Sequence, residues 1–319
     1  MALSKIQNIA WASIAKVGGI DAANIAKVKG VEVPSSFSGF LDSIPTDCAF
    51  AFGIRRLSGS YTGALIRIIR ASDSTEMDIG YIGEDLDASA VSSFCSGTTG
   101  YIVKAYDQSG NGRDAIGKNY GTNLDSLPII YESGAVTSLN GQPAIKITHP
   151  RHFSWTDTGT DIGDLCLFGA SGEDKSVAAY MVGMQGSSPG NPYKIIIEDN
   201  DDQSEVLWFY ESDGSERIDF IGTGSSAGAT FTDDVQKQWL WIFTGSEFGI
   251  VENDGTIGDG TNASVQTTTN AGTIWNIGGL GFSSRNMEGY IQEVAIWPDS
   301  TDVASENLFA AADAYYSLP

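Results

Sequence analysis

YIVKAYDQSGNGRDA, residues Tyr101 to Ala115, decides how the rest of the chain is read. Tyr101, Val103 and Ala105 alternate with Ile102, Lys104 and Tyr106, the period of a strand whose two faces meet different surroundings. The run then breaks into Asp107-Gln108-Ser109-Gly110-Asn111-Gly112. A strand feeding a tight, specified turn is expected, with positive φ at both Asn111 and Gly112 and the Asp107 carboxylate folded back onto nearby backbone N–H groups.

The same grammar repeats along the chain. Cys48–Leu57, Ala64–Arg70 and Ala144–Thr148 have strand composition, with Asn140-Gly141 the clearest turn between them. Asp87–Phe94 is the one short helical candidate. Further strands are expected over Val177–Met184, Lys194–Glu198, Val206–Glu211, Arg217–Ile221, Trp239–Phe243, Glu247–Val251, Thr273–Ile277 and Tyr290–Trp297. Many short strands at turn-punctuated spacing predict an all-β, two-sheet sandwich. Thr301–Tyr316 reads as a closing helix with Val303, Leu308, Ala311 and Tyr315 as its apolar stripe.

Composition bounds the function. The 319 residues carry 38 glycines, and no apolar run approaches the roughly 18 residues of a membrane span. Lys and Arg number 18 against 40 Asp and Glu, a net charge of −22 that repels a phosphate backbone. Nucleic acid is therefore not an expected partner. The charge is unevenly placed: Lys5, Lys16, Lys27 and Lys29 against Asp21 and Glu32 make residues 1–33 net +2, leaving −24 for the body. The opening MALSKIQNIAWAS has no continuous apolar core followed by a small-residue cleavage site, so it does not read as a signal peptide.

Residues 1–33 also repeat. Ser13–Ile20 recurs as Asn24–Val31, a shift of eleven residues with Lys, Val and Gly in register. Two short strands cannot bury their own apolar side chains, so this arm must lie against the body or against another protein. Ile14, Lys16, Val17, Ile25, Lys27 and Val28 are the candidate attachment residues. The chain divides into an arm (1–33), a linker (34–47) and a sandwich (48–319).

Three segments of the body, Leu57-Ser58-x-Ser60-Tyr61-x-Gly63, Phe94-Cys95-x-Gly97-Thr98-Thr99 and Tyr106 through Gly112, resemble the N-terminal half of the arabinofuranosidase B catalytic domain, a concanavalin-A-like β-sandwich. The same signature is similar to laminin-G-like domains of tailed-phage virion proteins, and the arm resembles the N-termini of phage tail and head-surface proteins. The resemblance implies a jelly-roll sandwich. It also implies a disulfide from Cys95 to a second cysteine, but Gly100 stands there; Cys48 and Cys166 could pair only if their Cα atoms lie within about 7 Å. The odd, broken cysteine set fits assembly in a reducing cytoplasm. The family's nucleophile and acid segments match Gly183–Asn191 and Gly278–Ser284, and neither contains Asp or Glu.

Other chemistry is thinner still. Glu211-Ser212-Asp213-Gly214-Ser215-Glu216 matches the Glu-x-Asp-x-x-Glu letters of other glucanases, but Asp213-Gly214 between two strand runs reads as a hairpin turn. Glu198–Asp202 lacks the spacing of a calcium loop. His149 and His152 have no ligand cluster near them in sequence, so no metal or cofactor is expected. Among the tryptophans, Trp208, Trp239, Trp241, Trp275 and Trp297 sit in strand patterns, which leaves Trp155 as the best exposed ring. The expectation from sequence is a non-enzymatic virion surface protein, made in the host cytoplasm and homo-oligomeric. It docks on other virion proteins through the arm and is either a tail fibre or a head decoration protein. Its candidate host-glycan contacts are Asp107, Gln108, Asn111 and Trp155. The alternative is a glycoside hydrolase of arabinofuranosidase type.

Overall fold

The structure is a computed structural model. It describes residues 37–44, 47–156, 176–186, 193–199, 206–212, 215–221, 225–227, 234–244, 247–253, 255–261, 274–279, 287–297, 303 and 305–318, together with the six short strands of the arm. The strands are β1 (Phe50–Gly53), β2 (Ile66–Arg70), β3 (Glu76–Ile79), β4 (Gly100–Ala105), β5 (Ile129–Glu132), β6 (Ile145–Ile147), β7 (Phe153–Thr156), β8 (Ser176–Gln185), β9 (Tyr193–Asp199), β10 (Val206–Ser212), β11 (Ser215–Ile221), β12 (Ser225–Ala227), β13 (Gln236–Thr244), β14 (Glu247–Glu252), β15 (Gly255–Thr261), β16 (Ile274–Ile277) and β17 (Gly289–Trp297); the helices are α1 (Ala88–Phe94) and α2 (Ser305–Tyr316). One sheet runs β15-β14-β13-β8-β17-β6-β5-β4-β2-β3, with β1 added alongside β17; the other runs β7-β16-β9-β10-β11-β12. All pairings between labelled strands are antiparallel, which is the all-β sandwich expected.

Strand β17 shows why the layers form. Its sequence, GYIQEVAIW, is apolar on both faces, and every residue except the half-buried Tyr290 is buried. Ile291, Val294 and Ile296 join Phe50, Phe52, Met181 and Trp239 in the core between the sheets, where Phe153 and Ile277 arrive from the second sheet. Ala295 and Trp297 face the other way, onto a second cluster with Tyr180, Leu240, Phe309 and Tyr316. Helix α2 thus covers the outer face of the large sheet, making a third layer. Its buried stripe is Leu308, Phe309, Ala312 and Tyr316, with Ala311 and Tyr315 only partly buried. Of the expected stripe, Val303 and Leu308 are buried in this cluster, Val303 lying ahead of the helix, which begins at Ser305.

The stretch read as linker contributes to the body. Phe40–Ser43 forms a 3-10 turn, and Phe40 and Ile44 pack into the cluster beneath α2. Gly39 sits so close to the Leu57 carbonyl that a Cβ would overlap it.

In the arm, Lys16–Val17 pairs with Ile20–Asp21 and Lys27–Val28 with Val31–Glu32, so each repeat is a small hairpin. Lys5–Ile6 and Ile9–Ala10 make a third copy in the same register. The signal for it was present: Lys5 lies eleven residues before Lys16, and Ile9 eleven before Ile20. Among the described residues these hairpins pair only within themselves. Ile14 and Ile25 lie outside the described residues, as do the side chains of Lys16, Val17, Lys27 and Val28. Among the described residues no helix is long and apolar enough to cross a membrane.

Candidate active site

The turn after β4 is a latch. Asp107 is 5% exposed and its carboxylate accepts from the backbone N–H of Ala51 (3.0 Å), Ser109 (2.9 Å) and Arg113 (2.9 Å), and from the Ser109 hydroxyl. Gln108, 3% exposed, accepts from the Leu57 N–H at 2.8 Å and donates to the Arg55 carbonyl at 2.9 Å. Asn111 donates from Nδ2 to the carbonyls of Cys48 and Ala49. These three candidate glycan contacts therefore hold two loops to strand β1. The positive φ angles fall on Gly110 (93°) and Gly112 (74°), not on Asn111, whose side chain is drawn back to residues 48 and 49. Trp155 is elsewhere, on β7 and paired in register with Trp275; its side chain lies outside the described residues.

The described ends of the two stretches matched to the family's catalytic segments, residues 183–186 and 278–279, adjoin the same segment around Met287 and Glu288. Gly183, Met184 and Gln185 close β8 against Ile291, Tyr290 and Gly289 of β17. Gly278, just past β16, packs on Ile147 and accepts from the Met287 N–H at 2.8 Å. Glu288 lies between them. Its carbonyl accepts from Gly186 N–H (2.6 Å) and from Gln185 Nε2 (3.0 Å), while its half-buried carboxylate has one long contact, 3.4 Å from the His149 N–H. Asp234, exposed and at φ 61°, donates its N–H to the Gln185 carbonyl. A Cβ built on Gly186 would stand 2.8 Å from the Glu288 backbone carbonyl and 3.5 Å from Asp234 Oδ1, so the Glu288 backbone and the Asp234 carboxylate flank this glycine.

Around this junction the polar groups are amides. Asn140 Nδ2 donates to Gln236 Oε1 at 2.6 Å, Gln236 to Gln292, and Gln292 to the Pro143 carbonyl at 3.1 Å. Gln185 Oε1 is buried without a partner, as are both amide atoms of Asn276, two residues before Gly278. Other carboxylates are already engaged: the buried Glu293 with Arg55 and Tyr316, and the half-buried Glu252 with Lys237 and Trp239. The low engagement of Glu288 sets it apart from these.

The remaining candidates separate cleanly. Glu211 pairs with Glu216 and Ser212 with Ser215 across two antiparallel strands, and Asp213-Gly214 lies outside the described residues. Asn200–Asp202 lies outside the described residues, and among the described residues no cluster of three potential metal ligands occurs. His152 is 2% exposed; burial, with Lys118 nearby, lowers its pKa to about 4, so the ring is neutral. Cys95 is a buried free thiol pushed up to about 11 by burial, and a Cβ at Gly100 would reach to 2.5 Å from its Sγ. Cys48 donates its thiol to the carbonyls of Phe50 and Ile296, and Cys166 lies outside the described residues.

Comparison with known proteins bears on this site. The family described as "Alpha-L-arabinofuranosidase B, catalytic" matches residues 41–148. Alpha-L-arabinofuranosidase B of Aspergillus niger is 35% identical over 130 residues, covering 37% of this chain and 26% of the relative. That of Penicillium canescens is 36% identical over 110 residues, covering 32% and 24%. The chain thus spans about a quarter of the length of these curated relatives. A crystal structure of an arabinofuranosidase complexed with arabinofuranosyl-alpha-1,2-xylobiose superposes with a TM-score of 0.62 at 19% identity, over 85% of this chain and 64% of that one, a likeness of fold.

These matches correct the functional expectation. They connect the chain to fungal arabinofuranosidases, and with that the virion surface protein, whether tail fibre or head decoration, is set aside. The virion partners, the homo-oligomer inferred with them, the host-glycan receptor and the placement on a virion made in host cytoplasm fall with it. The expectation of a non-enzyme is corrected too. It rested on two acid-free stretches, and the arabinofuranosidase matches overturn it.

Proposed function

We propose that the chain is the sandwich part of an arabinofuranosidase-type glycoside hydrolase, removing arabinofuranosyl groups from a glycan. The family match over residues 41–148 carries this reading. Hydrolysis of this kind needs two carboxyl groups across the glycosidic bond, about 5–5.5 Å apart when configuration is retained. Glu288 and Asp234, near Gly186 at the junction of β8 and β17, are the pair assigned here. The body comprises Phe40 onward, and the arm of residues 1–33 stays separate in this reading.

The test is release of free arabinose from arabinoxylan by the full chain, followed by chromatography. Wild-type protein is expected to release it and Glu288→Gln to lose that release about 100-fold or more, the usual size of a general acid–base contribution. Release undiminished in Glu288→Gln would remove Glu288 from the reaction, and no release from wild type would end the proposal.

A further inference from the structure

A cavity of about 340 Å³ opens between the Phe40 helical turn, the loop of residues 58–63 and the latch at 108–110. That is the small end of the roughly 300–1,000 Å³ range of ligand pockets, room for one or two small rings. It lies far from Glu288. Cys48 on its wall bonds the Ile296 carbonyl near the end of β17, whereas Glu288 immediately precedes the start of that strand. Eight residues of extended chain separate the two, about 26 Å at roughly 3.3 Å per residue.

The walls are built rather than incidental. Asp42 is consumed by the N–H groups of Gly39 (2.8 Å) and Gly59 (2.6 Å) and by the Ser58 hydroxyl (2.8 Å), which ties the helical turn to the loop. Tyr61 donates its hydroxyl to the Ala64 carbonyl and accepts on its own carbonyl from the Tyr81 hydroxyl at 3.1 Å, so its ring is fixed. Gly63 is required there, since a Cβ would meet the Tyr61 hydroxyl at 2.6 Å. Two exposed lining side chains, the Asp47 carboxylate and the Thr62 hydroxyl, have no hydrogen-bond partner among the described residues.

The chemistry narrows the ligand. Both charged side chains on the wall are acidic and the chain is −22 overall, which turns away phosphates and uronates. Calcium needs six to eight oxygens, and with Asp42 saturated only one carboxylate is open. What fits is a neutral polyol: a fixed aromatic ring, one open carboxylate acceptor and a rim of hydroxyls from Ser60, Thr62 and Ser109. We infer that this cavity is a saccharide-binding site separate from the site of hydrolysis, taking a backbone sugar of the same arabinosyl polysaccharide whose branches reach Glu288. This rests on the proposed function for the choice of polysaccharide. A ligand spanning both sites must be a polymer, so the cavity serves polymer and not small substrates.

The experiment uses the full chain and two variants, Asp47→Ala and Thr62→Trp, whose thermal midpoints are first matched to wild type. Retention on insoluble arabinoxylan is measured, together with kinetics on soluble arabinoxylan and on 4-nitrophenyl α-L-arabinofuranoside. Both variants are expected to lose retention and to raise KM on the polymer about tenfold, with kcat and the aryl-glycoside kinetics unchanged. Wild-type retention in both variants overturns the inference, as does a wild type that is not retained at all. Should the wild type hydrolyse nothing yet be retained, with retention lost in the variants, the hydrolase reading fails and the binding site stands.

Discussion

Replacing Glu293 by Gln is expected to destabilise the sandwich far more than loss of a surface ion pair would. Glu293 is fully buried on the helix-facing side of β17, and Arg55 is 3% exposed. Arg55 Nε donates to Glu293 Oε1, and Nη1 donates to Glu84. Tyr316 of α2 donates its hydroxyl to the same Glu293 oxygen at 2.6 Å, and the guanidinium sits 4.4 Å from the Tyr315 ring centroid. Burial works against the Arg55 charge, but Glu293, Tyr316 and Glu84 together hold its pKa above the ordinary arginine value. Removing one member of a buried pair leaves the other charge uncompensated and costs about 3–5 kcal/mol, against roughly 0–1 for an exposed pair. At about 2–3 °C per kcal/mol for a chain of this size, Glu293→Gln should lower the thermal midpoint by roughly 6–15 °C. It should also loosen α2, visible as earlier proteolytic release of the C-terminal segment. The double variant Arg55→Met/Glu293→Leu removes both charges while keeping the volume, and should recover most of the loss. Thermal and urea melts of Arg55→Met, Glu293→Leu and the double close the cycle. A shift under about 2 °C for Glu293→Gln, or a double variant as unstable as the sum of the singles, would refute the argument.

Other consequences follow from local geometry. A cysteine at Gly100 would put its Cβ 3.4 Å from Cys95 Cβ, close to the spacing of a disulfide, so Gly100→Cys should form one under mild oxidation, read as a two-proton mass loss, and add about 2 kcal/mol of stability. In the native wild type, Cys95 should react with a thiol reagent at pH 8 only as fast as the protein opens, since its thiol is held neutral up to about pH 11. His152 titrates near 4 when folded and about 6.5 unfolded, so between those values the unfolded state binds more protons and stability falls as pH drops; the contribution is about 3 kcal/mol, and urea melts of His152→Gln should show a flatter profile over that window. Asp107→Asn leaves the turn donors facing an amide and should cost about 2–4 kcal/mol while leaving retention on arabinoxylan intact in the folded fraction; full stability would mean that the latch holds nothing.

Much of the fold was legible because it rests on local signals. The period-two run before Asp107, the Asn140-Gly141 pair with φ of 49° and 83°, and Asp87 accepting from the Ala90 N–H at the start of α1 all act within a few residues. What escaped depends on distant partners. Strand β5 and the short strand β7 carry little periodicity of their own and are set by pairing with β4 and β16. Phe40 looked like part of a linker because its burial is supplied by α2 and Trp297, more than 250 residues later. The site was harder for the same reason. Asp107, Gln108 and Asn111 have the residue types of a ligand loop, and only their bonds to Ala51, Leu57 and Cys48 reveal the latch. Glu288 and Asp234 are 54 residues apart and unremarkable in sequence; the registers of β17 and of β13 on β8 bring the Glu288 backbone and Asp234 to Gly186.

The central claim is that these two carboxylates act on an arabinofuranosyl bond. Its most direct test is kcat/KM of the full chain on 4-nitrophenyl α-L-arabinofuranoside, measured beside Glu288→Gln and Asp234→Asn. The account predicts turnover by the wild type and a loss of about 100-fold or more in each variant, with the folds intact by thermal melt. Turnover that both variants retain, or no turnover by the wild type, would contradict it.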